Sequence, residues 1–265
     1  MEKRINKTSF IIGLMCVLAA VSFVMADADV PYGVHSITYI QSSRPNVSSY
    51  GRANISANAG NVTELDLIAI STTQAWQGYY GNISGIITLE DSYGYVFYNW
   101  TTQEPKGEIY ASLNDTISWA TIRCFNYSIG ASGQSFDEQD VEDWYGIGDD
   151  AADGIWETFN YTLDRNFFVG SRNITEVSTN VADCHATNTY RYGMMQNDDD
   201  FENVLLTDGD KLVYTAIIEN NDFNNNTDMF GFDNRDHDFQ MLVAENGHNG
   251  HEDITMQYYF WAEIE

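Results

Sequence analysis

The stretch ISGIITLEDSYGYVFYNW, residues 83–100, decides the fold class. Two runs rich in Ile, Val, Tyr, Phe and Trp flank Asp91-Ser92-Tyr93-Gly94. Such side chains favour a pleated backbone, and a short glycine-containing loop joins antiparallel strands. The segment reads as a β-hairpin. Alternation then assigns its faces. With Asn99 turned to solvent, Val96, Tyr98 and Trp100 take the opposite side. With Asn82 outward, Ile83, Ile87 and Leu89 do the same. Both apolar sets are expected in the core.

The same pattern extends outward from this hairpin. Candidate strands are Gly33–Gln41, Leu65–Thr72, Ile83–Glu90, Gly94–Trp100, Gly107–Ala111, Ile122–Ile129, Thr158–Leu163, Leu212–Glu219, Phe239–Glu245 and Thr255–Glu263. Short strands at this spacing indicate an all-β fold, an antiparallel β-sandwich or jelly roll. One segment breaks the pattern. SFDEQDVEDWY, residues 135–145, reads as a short acidic helix. Ser135 is its expected cap, with Glu138 at capping-box distance. Phe136, Val141, Trp144 and Tyr145 would give it an apolar face. Residues 29–265 are expected to form one β-rich extracellular domain, with 130–155 the place where a sub-boundary would fall.

Residues 1–28 have the order of a secretory signal. Lys3, Arg4 and Lys7 precede an apolar run from Phe10 to Ala26, which ends in Ala26-Asp27-Ala28. Cleavage is expected after Ala26 or Ala28, and an uncleaved signal anchor is the alternative. No later stretch is long and apolar enough to span a membrane. The formal net charge is -27, and the signal carries more basic than acidic residues. Such a surface repels phosphate backbones, which excludes nucleic acid as a partner. The acidity has two explanations. One is solubility through self-repulsion. The other is structural calcium, since clustered carboxylates are hard oxygen ligands. The acidic candidates are Asp198, Asp200, Asp233, Asp236 and Asp238, although none has EF-hand spacing.

Of the three cysteines, Cys16 lies in the signal run. Cys124 and Cys184 remain, and an even pair in a secreted chain is expected to form a disulfide. The sequons are more informative. Asn-x-Ser/Thr occurs at Asn46, Asn54, Asn61, Asn82, Asn99, Asn114, Asn126, Asn160, Asn173 and Asn225. Composition alone would place about three among the asparagines of a secreted chain, and the motif is the N-glycan acceptor. Parity supports a glycan-out arrangement elsewhere too. Asn126 outward turns Phe125, Tyr127 and Ile129 inward, and Asn160 outward turns Phe159, Tyr161 and Leu163 inward.

Catalytic patterns are weak. A glycosidase needs two carboxylates across a sugar bond, and Glu104, Glu108, Asp140, Glu142 and Glu157 are all available without a pair standing out. No Gly-x-Ser-x-Gly elbow is present. His237, His248 and His251 lie on polar loops and read as solvated surface. Trp76, Tyr79 and Tyr80 offer a sugar-stacking face, but core packing is the expected use of such rings. No catalytic residue and no cofactor is assigned, and the chain is not expected to be an enzyme.

Residues 59–90, Pro105–Ser112 (PKGEIYAS), Ile122–Tyr127 (IRCFNY), Asp238–Val243 and Tyr258–Glu263 together resemble a group of archaeal secreted β-rich surface proteins without an assigned activity. The resemblance implies an archaeal cell surface and supplies no catalytic residues. The expectation is a secreted, N-glycosylated structural or interaction protein, with self-association or other surface proteins as partners. A filament or assembly subunit is the specific version. Its motive is the strand-like end Met256–Glu265, which could complete a neighbour's sheet. The alternative class is a carbohydrate-binding module or glycoside hydrolase acting on surface polysaccharide.

Overall fold

A computed structural model describes residues 30–41, 75–102, 105–128, 133–163, 165–174, 184–189, 201–219, 229–247 and 255–264, and the single positions 56, 59, 62, 64, 65 and 73. The fold is all-β and antiparallel. The strands are β1 (Tyr32–Gly33), β2 (Trp76–Gly81), β3 (Gly85–Glu90), β4 (Val96–Thr102), β5 (Gly107–Ser112), β6 (Arg123–Cys124), β7 (Tyr161–Thr162), β8 (Phe168–Val169), β9 (Arg172–Asn173), β10 (His185–Thr189), β11 (Phe201–Thr207), β12 (Leu212–Ile217), β13 (Phe239–Ala244) and β14 (Tyr259–Ile264). The largest sheet runs β1-β14-β5-β12-β11-β10-β7, with β6 also on β11. Three two-stranded pairs accompany it, β13-β2, β3-β4 and β8-β9.

The large sheet is covered on both faces. Ile109, Ala111, Leu205, Leu212, Tyr214 and Ala216 point to one side, where Met241, Val243 and Ala244 of β13 meet them. Tyr110, Val204, Leu206, Val213 and Ile217 point to the other, against Leu163, Phe167, Val169 and Ile174. Every residue of β5 and β12 is buried for this reason. Alternation still sorts side chains, but both destinations are dry. β12 therefore reads as a continuous apolar run rather than an in-out pattern.

The helix begins later than expected. α1 is Glu138–Tyr145, and its N-cap is Asp137, not Ser135. Asp140 N donates to Asp137 Oδ1 at 3.1 Å, and Asp137 N donates to Asp140 Oδ2 at 3.0 Å. This reciprocal pair is a capping box with aspartates in both places. Ser135 instead donates its backbone N–H to Gly209 O. Val141 and Tyr145 enter the core, whereas Trp144 stays exposed. A second helix, α2 (Ile155–Thr158), follows. Ile147 and Ile155 join the same cluster as Tyr214, so residues around the suggested 130–155 boundary pack on the large sheet.

Several expected strands are shorter. Among the described residues of Ile122–Ile129, only Arg123–Cys124 pairs in a ladder, and Ile129 lies outside them. Beyond Phe125 the backbone turns to a side chain, with Asn126 N donating to Gln134 Oε1 at 3.0 Å. Gly33–Gln41 contributes only Gly33, opposite Trp261; the strand is Tyr32–Gly33, with Tyr32 opposite Ala262. Leu65–Thr72 lies largely outside the described residues. The C-terminal strand β14 pairs with β5 along its whole length and with β1 on its other side. It completes its own sheet, so donation to a neighbour loses its basis. Among the described residues, no helix is long and apolar enough to cross a membrane.

The hairpin that set the fold class forms as expected, with Ile87 opposite Trp100 and Leu89 opposite Tyr98. Its parity holds from Tyr98 to Trp100, with Asn99 opposite Thr88 on the reverse face, but a register shift at Leu89/Glu90 sets Val96 opposite Glu90, out of step with Tyr98. Its expected burial does not hold. Ile87, Leu89, Val96, Tyr98 and Trp100 all remain exposed. Among the described residues only the base is anchored, through Ile83 against the core and Gly85 against Ile264. Among the described residues β3 and β4 pair with each other alone, so the ribbon stands off both main layers.

Candidate functional site

The two helices bring three carboxylates together. Glu138 and Glu142 are one turn apart on α1 and share a face. Glu157 approaches them from α2. One oxygen from each lies within 4.8 Å of the others, the one such acidic group among the described residues. Glu142 is buried and Glu157 exposed. Glu142 Oε1 accepts from Ile155 N at 2.9 Å, and Glu138 accepts from the Trp156 backbone. Two carboxylates thus satisfy the first amides of α2, where helix N–H groups lack intrahelical partners.

This capping explains the positions but leaves like charges close together. Burial raises the Glu138 carboxyl above its ordinary range, and the Glu157 charge raises it further. Burial also raises Glu142, partly opposed by the Ile155 N–H. Protons relieve such a cluster, and so does a divalent cation, which favours carboxylate oxygens. Tyr127 and Trp156 form an aromatic wall beside it, with ring centroids 4.6 Å apart, and His185 lies 3.8 Å from Tyr127. Tyr127 donates its hydroxyl to Phe159 O at 2.6 Å.

The sign of the pH effect follows from these shifts. A carboxyl raised in the folded state binds its proton more readily there than in the unfolded chain. Its contribution is full below the unfolded value and is lost as pH rises through the folded one. Glu138→Gln should therefore raise the unfolding free energy measured in urea slightly at pH 7, by under about 1 kcal/mol for so solvated a group. The gain should vanish near pH 4. A loss of stability at pH 7 would show that Glu138 acts chiefly as an ionised cap.

The other candidate residues disperse. Asp140 is spent in the capping box. Glu108 is buried on β5, within reach of the Tyr110 hydroxyl. Asp233 pairs with Arg235 and His237, with 2.9 Å between its Oδ1 and His237 Nε2. Burial pushes its carboxyl up, but these bonds hold it below the ordinary range. Asp238 Oδ2 accepts from Ile83 N at 2.6 Å, and Asp236 sits in a backbone bridge with Phe230. These three aspartates do not converge. Asp198, Asp200, Glu104, His248 and His251 lie outside the described residues. Trp76 packs on Phe159 and Tyr214, Tyr79 on Phe260, and Tyr80 on Phe232. The rings of β2 serve packing, as expected. Cys124 and Cys184 are joined, with Cα atoms 4.9 Å apart.

The sequon asparagines are distributed differently from the carboxylates. Asn82, Asn99, Asn114 and Asn160 are exposed, and Asn126 and Asn173 are half-buried. Their chain neighbours Phe125, Phe159 and Ile174 are fully buried. Asn46, Asn54, Asn61 and Asn225 lie outside the described residues. Sequence reading missed Glu138 as a partner of Glu142 and Glu157. The four-residue spacing of Glu138 and Glu142 was the available signal, but the approach of Glu157 depends on the turn between helices. No protein-family model, curated protein or solved structure matches the chain.

Proposed function

We propose that this chain is a secreted, N-glycosylated β-sandwich that serves as a structural or interaction component of an archaeal cell surface. The observation that supports it most is the sequon placement. The six described acceptor asparagines fall at exposed or half-exposed positions, and at Asn126, Asn160 and Asn173 an adjacent residue is fully buried. A glycan needs solvent, and burial of even one acceptor would have counted against the reading. The signal-like N-terminus, the acidic surface and the disulfide agree with an extracellular setting. The convergent glutamates cap a helix, which gives them a structural use without any reaction.

Intact mass of the native protein, before and after chemical deglycosylation, tests the proposal. The expected result is an excess over the processed polypeptide that deglycosylation removes. Peptide mapping should find higher occupancy at Asn99 and Asn114 than at Asn126 and Asn173. Asn126 Oδ1 already accepts from Ser128 N at 2.8 Å, which holds the acceptor side chain against the backbone. A mass equal to the bare polypeptide would overturn the glycoprotein reading.

A further inference from the structure

We propose that the apolar face of the β3–β4 hairpin docks a second copy of this chain. Ile87 faces Trp100 and Leu89 faces Tyr98 across the ladder, so the four side chains form one continuous surface. Tyr98 and Trp100 are in edge contact, 4.8 Å between centroids. Ile87, Trp100, Leu89 and Tyr98 are 45%, 48%, 49% and 54% exposed. A two-stranded ribbon is marginal in water by itself and gains stability when its apolar face is covered.

Three features point to another copy as the cover. The first is charge. The chain carries -27, yet Glu90 and Asp91 are the only charged residues from 81 to 102, and both lie at the turn. Two copies repel over most of their surface, and this ribbon is where approach is least opposed. A basic partner would be drawn to the acidic surface instead. The second is area. The four half-exposed side chains would hide roughly 800 Å² when two faces meet. That suits a weak, reversible pair rather than an obligate one. The third is the sequon. Asn99 lies on the reverse face. Two hairpins stacked about a two-fold axis, about 10 Å apart, would direct both Asn99 side chains away from the contact.

The proposal deepens the surface-protein reading and depends on it only for the Asn99 glycan, which the mass measurement answers separately. Sedimentation velocity of the mature glycoprotein over a concentration series is the test. A monomer–dimer equilibrium is expected. Raising NaCl from about 0.1 M to about 1 M shortens the Debye length from about 10 Å to about 3 Å, and should tighten the dimer severalfold. Trp100→Ser and Leu89→Ser should each weaken it about tenfold or more, as central apolar contacts do. Phe97→Ser, on the Asn99 face, should leave it unchanged. All three variants should melt as the parent does, because the ribbon stands off the core. A monomer at every concentration overturns the proposal, as does a dimer indifferent to both face variants or one loosened by salt. A monomer that instead co-sediments with phosphatidylcholine vesicles or polysaccharide assigns the face to that occupant and overturns it too.

Discussion

Replacing Gly107 with alanine is expected to destabilise the fold by about 2–5 kcal/mol, the sum of backbone strain and overpacking. Gly107 opens β5 with φ at +126°, which a side chain bearing a Cβ rarely adopts. Its place in the sheet compounds the strain. An added Cβ would lie 2.2 Å from Glu263 O and 2.9 Å from Glu263 C. Both atoms are backbone, so neither can swing aside. Gly107 is opposite Ile264 in the β14–β5 ladder, and its carbonyl accepts from Ile218 N at 2.9 Å. Relief requires moving β14 off β5 or releasing the end of β12. Gly85 offers an internal comparison. A Cβ there would first meet Ile264 Cδ1, the far end of a flexible side chain, at 2.5 Å. Gly85→Ala should therefore be much milder. Urea denaturation of both variants beside the parent checks the pair. A Gly107→Ala loss under about 1 kcal/mol would mean that the strand end repacks freely, against the limited relaxation expected of a packed interior.

The contrast between these glycines also shows which parts of the fold were legible. Strand character was readable where local chemistry and tertiary use agreed, as in Leu212–Ile217 and Phe239–Ala244. It failed in two ways. Trp76–Gly81 pairs with β13 over six residues, but Gly78 and Gly81 lower its local preference for a strand. Its long-range partner overrides that preference. His185–Thr189 is polar and short, and becomes a strand because β11 lies alongside it. The hairpin at 83–100 failed in the opposite sense. Its faces followed from alternation, but a period of two says only which residues point the same way. Nothing in that period distinguishes an apolar face turned to the core from one turned to solvent. The aspartate capping box was within reach of sequence, since Asp137 and Asp140 have the right spacing. A serine nearby was the more familiar cap. The glutamate cluster was less accessible, because Glu157 reaches Glu138 and Glu142 through a turn whose course the local sequence does not specify.

Removing the disulfide, as the double variant Cys124→Ala/Cys184→Ala, should cost about 4 kcal/mol of unfolding free energy in the chain-entropy model for a loop of this length. The two cysteines are 60 residues apart in sequence. The loop contains α1, α2, β7, β8 and β9, and so the glutamate cluster as well. The position of the bridge gives it a second role. β6 and β10 both lie on one edge of β11, with Cys124 opposite Leu206 and Ala186 opposite Val204. Cys184 immediately precedes β10, so the bridge joins the two strands where one hands the edge of β11 to the other. Neither β6, with two residues, nor β10, with five, holds that edge alone. Both half-cystines are buried among Tyr110, Leu163 and Val213, so alanine also removes packing there. Denaturant titration at neutral pH should show a lower midpoint. If the unfolded chain of the variant is less restrained, its denaturant slope should rise as more surface is exposed. A fall in the midpoint with an unchanged slope would assign the loss to the native edge of β11 instead. A stability equal to the parent's would mean that the packing around β6 and β10 holds this edge without the covalent link.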